Sequence, residues 1–163
     1  MPIVRWRIVA LFFVHALTIG AIHTRIPDVQ LQIGLSEAQL GLVLMGQPLG
    51  ALSMFLFSSR IIERFGPRLV ILTLLPLAAI SAALVTVMLN PVAMFTLMAL
   101  NGVSFSLTNI AISVEADRIE AASGARIMNT CHGVWSIGFL LTSLLGAALM
   151  WRRRCISGCC RPW

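Results

Sequence analysis

The chain has 163 residues, of which 58% are hydrophobic and only 11% charged, against about 25% charged residues in a soluble domain; a water-soluble core is excluded. The net charge of +6 comes from arginine alone, since there is no lysine. These arginines sit at the ends of apolar runs and not along one solvated face, which fits membrane orientation and excludes nucleic acid as the partner.

A hydrocarbon slab about 30 Å thick takes roughly 20 apolar residues of helix. Charge-free windows at 8–24, 38–59, 69–89, 92–114 and 127–150 supply five such segments, with helical period and no strand alternation. The expected fold is an all-α integral membrane bundle of five helices over residues 1–150, with the lipid bilayer as its first partner.

The first span follows Arg5 and Arg7 and carries His15 and Thr18 near its middle. A cleaved secretory leader is the weaker reading, because Thr18 and Gly20 make a poor cleavage site and four spans follow. Ile26-Pro27-Asp28 is expected to break the helix and open an outer loop ending near Leu35. The second span begins with a capping box, Ser36-Glu37-Ala38-Gln39. Its Gly46, Gly50 and Ser53 share one face for close helix approach, and Gln47-Pro48 permits bending.

The third span has only Thr73, Ser81 and Thr86 as polar side chains and is expected to face lipid. Asn90-Pro91 turns the chain, with Pro91 as the first residue of the fourth helix. On that helix Asn101, Ser104, Thr108 and Glu115 fall within about 60° of one another, a single polar stripe. Glu115 and Glu120 are expected as solvated partners of Arg118 or Arg126 at the membrane boundary. The fifth span carries a second stripe, His132, Ser136 and Ser143, with Trp135 beside it. Polar groups in hydrocarbon are costly unless they face protein or a cavity, so both stripes are expected to look inward. His15, Thr18, Asn101, Ser104, Thr108, His132, Trp135 and Ser136 are therefore the candidate solute-binding residues. Each hydroxyl has a structural alternative, a bond to the carbonyl one turn back.

With the N-terminus in the cytoplasm, Arg5, Arg7, Arg60, Arg64, Arg68, Arg118 and Arg126 lie inside and only Arg25 outside among residues before 150. Segments 25–36 and 90–91 are then outside, and 60–68 and 115–126 inside. The tail 151–163 breaks this rule with Arg152, Arg153, Arg154 and Arg161, and holds three of the four cysteines. It is expected to be anomalous, out-of-frame sequence; a natural short tail is the alternative. The spacing of Cys155, Cys159 and Cys160 matches no zinc pattern, and no metal or cofactor is expected.

The loop Ser59-Arg60-Ile61-Ile62-Glu63-Arg64-Phe65-Gly66-Pro67-Arg68 resembles the signature loop of the major facilitator superfamily, with Ser59 where that family usually has Gly and Pro67 where a basic residue is common. Glu63, Arg64, Gly66 and Arg68 would form its gating loop: the Gly turns the chain, the charges hold it at the aqueous surface, and Glu63 and Arg64 can bond the ends of neighbouring helices. Thr24-Arg25-Ile26-Pro27-Asp28, Gly34-Leu35-Ser36-Glu37-Ala38-Gln39-Leu40-Gly41 and the run from Ser113-Val114-Glu115 to His132-Gly133-Val134-Trp135-Ser136-Ile137-Gly138 look like the MosC-like branch, covering residues 5–150. The resemblance implies a twelve-helix, gradient-driven carrier of a small, sugar-like solute in the inner (plasma) membrane, with the first five helices present here. It also implies that helices one and four line the cavity and helix three lies outside. The alternative is a non-transporting membrane remnant or a helix-packing interaction protein that self-associates. No cluster of catalytic or metal-ligating side chains lies within the spans, so an enzyme is not expected.

Overall fold

The structure, a computed structural model, describes the backbone of residues 2–156 and side chains from 5 to 152. Its elements are α1 (Pro2–Ile33), α2 (Glu37–Leu44), α3 (Gly46–Phe55), α4 (Ser58–Phe65), α5 (Pro67–Val85), α6 (Pro91–Ser123) and α7 (Met128–Ile156). Together they provide five segments long and apolar enough to cross a membrane, as the charge-free windows require.

Pro27 does not end the first helix. α1 runs through it for 32 residues, or about 48 Å at 1.5 Å per residue. A proline inside a helix costs about 3 kcal/mol; Val29, two residues beyond it, is buried with Ile19 and Ile22, and that packing offsets part of the cost. The stop comes at Gly34, whose φ of +73° lets the amides of Gly34 and Leu35 converge on the Gln30 carbonyl at 2.9 and 3.1 Å.

The second span is three helices in line. The Ser36 capping box forms, with the Gln39 amide donating to the Ser36 hydroxyl and the Gln39 side chain accepting from the Ser36 amide. The interruption lies at Met45, not at Gln47-Pro48, because a proline disturbs the carbonyl four residues before it, here that of Leu44. A second interruption at Leu56 and Phe57 precedes α4, which carries the helix past Ser59 to Phe65. Gly66, at φ +78°, then turns the chain into α5 with Pro67 in its first turn.

α6 begins at Pro91, with the Asn90 side chain accepting from the Val92 amide at 2.9 Å. It continues to Ser123, so the expected loop over 115–126 shrinks to the few residues after Gly124, a left-handed cap at φ +66°. α7 extends beyond residue 150 to Ile156; the remainder of the tail, 157–163, lies outside the described residues.

α6 is the centre of the packing. α3 and α5 lie along it, α1 crosses beside it, and α7 packs on α1 with little contact to α6. Two apolar clusters fill the joints, one around Ile8, Phe12, Leu107, Ile112 and Cys131, the other around Ile22, Val85, Met94 and Met98. The approach of α3 to α6 is close enough that a Cβ on Gly50 would collide with the Ala99 carbonyl, and one on Gly102 with the Gln47 carbonyl. Small residues of this kind let membrane helices touch backbone to backbone. Gly46 and Gly50 therefore meet α6 as expected, but Ser53 is exposed and bonds its own helix.

α5 departs from the lipid-facing expectation. Its outer face, with Leu69, Leu72 and Ile80, is exposed, while Val70, Ala78, Ser81, Ala82 and Val85 are buried against the bundle. A helix that is apolar all round gives no sign of which side will be covered, since lipid and protein suit it equally.

Candidate functional site

The polar stripe of α6 divides between two surroundings. Asn101, 3% exposed, faces α5 and α3. Its amide nitrogen donates to the Ala78 carbonyl and to the Ser81 hydroxyl, both at 3.0 Å, and its oxygen accepts from the Gln47 side-chain Nε2 at 3.4 Å. One side chain thus ties three helices, and its donors and acceptor all have partners. Ser104, fully buried, bonds the Leu100 carbonyl one turn back at 2.9 Å.

One turn along, Thr108 is fully buried and its hydroxyl has no partner among the described residues. Phe105 lies three residues before Thr108 on the same helix surface, and on Phe105 stacks the His15 ring, 4.3 Å between centroids and 15° between planes. His15 is fully buried, and neither of its ring nitrogens meets hydrogen-bond geometry with a neighbour, although the Phe105 backbone lies close to the ring. Native structures rarely leave buried polar groups unpaired, and in a bilayer no lipid tail can pair them. His15 at the α1–α6 joint and Thr108, one turn along α6 from Phe105, therefore hold the unmet hydrogen-bonding capacity of an imidazole and a hydroxyl. That combination suits a small hydroxylated molecule or ordered water.

Thr18 turns elsewhere. Its hydroxyl donates to the His15 carbonyl at 2.7 Å, and its side chain lines a separate opening of about 570 Å³ between α1 and α5, with Ala21, Arg25, Ala82 and Thr86 among its walls.

α7 contributes less to the interior than its stripe suggested. Trp135 stacks on Phe139 at 5.6 Å and bridges the two apolar clusters. His132 and Ser136, however, are exposed; His132 meets the Phe12 ring edge-on at 5.4 Å and Ser136 bonds the His132 carbonyl. The rotation of α7 is decided by Gly138, where a Cβ would come within 2.9 Å of Phe13, and by Gly146 against Thr24. The glycine face must lie on α1, so the polar face lies outside it. Ser143 bonds the Phe139 carbonyl in the same manner.

At the other end of the bundle, Glu115 keeps one of its two expected partners, Arg118, and adds one from α5. It is 19% exposed and pairs with Arg68 of α5 at 3.5 Å and with Arg118 at 3.9 Å. Glu120 forms no ion pair among the described residues; its carboxylate accepts from the amides of Ile127 and Met128 at 2.9 and 3.0 Å, capping α7. Within the turn, Gly66 supplies the positive φ, and the Arg64 guanidinium lies 5.6 Å from the Phe65 ring centre. Glu63 is exposed and forms no ion pair among the described residues.

Phe105, Ser81, Gln47 and Gly102 were absent from the candidate residues. Phe105 gives no sequence signal, because one aromatic among apolar residues is the ordinary content of a membrane helix. Gly102, beside Asn101, was a legible partner for the glycines of α3.

Residues 8–153 match the family model described as Major Facilitator Superfamily. Similar proteins include an uncharacterised MFS-type transporter of Yersinia pestis, 27% identical over 140 residues that cover 86% of this chain and 36% of that protein. An uncharacterised transporter of Sinorhizobium fredii is 29% identical over 148 residues, covering 88% of this chain and 37% of that protein. The chain spans little more than a third of the length of these curated relatives. No solved structure matches it significantly.

Proposed function

Because the chain belongs to the Major Facilitator Superfamily, we propose that it supplies the first five helices of a secondary carrier that moves a small, sugar-like or polyol-like solute by alternating access. The single observation that carries the proposal is the buried His15 stacked on Phe105, with both ring nitrogens and the Thr108 hydroxyl unpaired. Polar groups held unsatisfied in an apolar interior are binding capacity, and hydroxylated solutes offer both donors and acceptors to it. The MosC-like resemblance of the segments around Pro27, Ser36 and Glu115 supports the sugar-like class.

In this reading the exposed strip of His132 and Ser136 on α7 faces the opposing bundle of the full carrier. Such carriers rock one six-helix half against another around a site at their interface, so this chain alone binds solute weakly and does not transport it. The arginine distribution supports a cytoplasmic N-terminus in the inner membrane. Impermeant labelling of an introduced cysteine at Glu120 should fail from the outer face of intact cells and succeed in inverted vesicles; the reverse pattern would refute the orientation.

Binding of radiolabelled hexoses and polyols to the purified chain tests the site. His15→Phe and Thr108→Val are each expected to weaken binding at least tenfold, with the helical content unchanged. A solute bound equally well by wild type and both variants would remove the His15–Thr108 site. The same chain in liposomes should show no saturable gradient-driven uptake. Saturable uptake would show that five helices suffice.

A further inference from the structure

We infer that the end of the bundle where α1 and α5 begin and α6 finishes is a binding site for an anionic glycerophospholipid. Two adjoining cavities lie there, about 340 and 210 Å³, sharing Arg68, Glu115 and Ile119 in their walls. The larger adds Arg7 with Ile8, Leu11, Ile71 and Leu72; the smaller adds Arg5, Arg118 and Ser123.

Charge and chemistry are separated across this pair. Four guanidiniums line the two cavities against one carboxylate, Glu115, which already pairs with Arg68 and Arg118. The nearby Glu120 is committed to the α7 amides. In the smaller cavity the Arg5 Nε and the Ser123 hydroxyl are buried with no partner among the described residues. These are donors with no acceptor, next to uncompensated positive charge, and a phosphate oxygen answers both needs. The larger cavity has Ile8, Leu11, Ile71, Leu72 and Ile119 as its aliphatic wall beside Arg7, Arg68 and Glu115, and Leu72, 73% exposed, opens it toward the lipid-facing side of α5.

A free anion would use the arginines and leave the aliphatic chamber unused. A phosphodiester carrying acyl chains fills both, with its headgroup at Arg5, Arg118 and Ser123 and a chain along Leu11, Ile71 and Leu72. Basic pockets between membrane helices recognise lipid headgroups on this principle, each arginine contributing about fivefold in affinity. Bound lipid would also relieve the mutual repulsion of the four guanidiniums, so it should stabilise the bundle as well as decorate it.

Thermal unfolding and native mass spectrometry of the 163-residue chain in neutral detergent, titrated with phosphatidylglycerol, phosphatidylcholine or inorganic phosphate, test the site. Phosphatidylglycerol should raise the unfolding temperature and remain bound, whereas phosphatidylcholine and phosphate should do neither at equal concentration. Arg5→Gln with Arg118→Gln should weaken phosphatidylglycerol binding about twentyfold. Arg60→Gln with Arg64→Gln removes the same charge from exposed positions outside both cavities and should change it less than twofold. Glu115→Gln, which removes the only competing carboxylate, should strengthen binding severalfold and reads the site even if the double arginine variant does not fold. Equal binding of phosphatidylcholine, equal losses in the two double variants, or weaker binding by Glu115→Gln would overturn the assignment. Full stabilisation by inorganic phosphate alone would replace the lipid with a free anion and overturn it too.

Discussion

Two joints on the same helix treat their polar residues in opposite ways. Where α6 meets α3 and α5, Gly50 and Gly102 bring backbones into contact and every polar atom of Asn101 has a partner. Where α6 meets α1, an aromatic stack of His15 on Phe105 replaces the glycines, and the imidazole keeps its nitrogens unused, as Thr108 further along α6 does its hydroxyl. Asn101 and Thr108 are two turns apart on one stripe, so position on the helix does not separate a clamp from a site. The separation comes from whether the neighbouring helix brings partners. A satisfied network rigidifies, and an unsatisfied one retains capacity for a ligand.

The largest expected effect is at the satisfied joint. Gly102→Leu would drive a side chain into the Gln47 carbonyl, which is backbone and cannot swing aside. Overpacking of this kind costs about 3 kcal/mol or more, and the variant should lose its cooperative thermal transition in detergent. A wild-type transition would mean that α3 and α6 are not in this contact.

Next comes the contrast in solute binding. His15→Phe keeps a ring to stack on Phe105 and deletes two unpaired nitrogens, so stability should hold or rise slightly while hexose or polyol affinity falls at least tenfold. A destabilised His15→Phe would place the imidazole among structural groups and dissolve the difference between the joints.

Asn101→Leu should do the converse. Interhelical hydrogen bonds in membranes are worth about 0.6 kcal/mol on average and up to about 1.7, so losing this clamp should lower stability by about 1–2 kcal/mol in denaturant titration. Solute affinity should stay within twofold of wild type. A tenfold loss of affinity with unchanged stability would instead make Asn101 a binding group.

The smallest effect belongs to Glu120, whose carboxylate caps α7 through two amides. Glu120→Ala should remove that cap and loosen only the first turn of α7. Hydrogen exchange at Ile127 and Met128 should accelerate before the rest of α7 does.

Much of the scaffold was legible in the residues because the bilayer imposes one demand at a time. Charge-free length located the five spans, and local capping chemistry placed the starts at Ser36 and Asn90-Pro91. Gly66 was readable because a tight turn needs a positive φ. Pro27 misled because local breaker chemistry takes no account of tertiary packing, here the burial of Val29 with Ile19 and Ile22 beyond it. Arg118 was legible as a partner of Glu115 because it lies three residues along the same helix, whereas Arg68 comes from an element distant in sequence and the α7 amides reach Glu120 only through the turn after Gly124.

Composition, charge placement and helical period determined by themselves that this chain crosses a membrane as five helical segments. Backbone hydrogen bonding in lipid permits little else, and arginine marks where each crossing ends. The rotation of every helix about its own axis was left to the tertiary structure. With lipid outside and apolar side chains inside, hydrophobicity cannot distinguish the faces of a membrane helix, and close packing of small residues does so instead. That packing turned Asn101 toward Ser81, His15 onto Phe105 and His132 to the exterior, and so decided which polar residues are bonded and which remain free to bind.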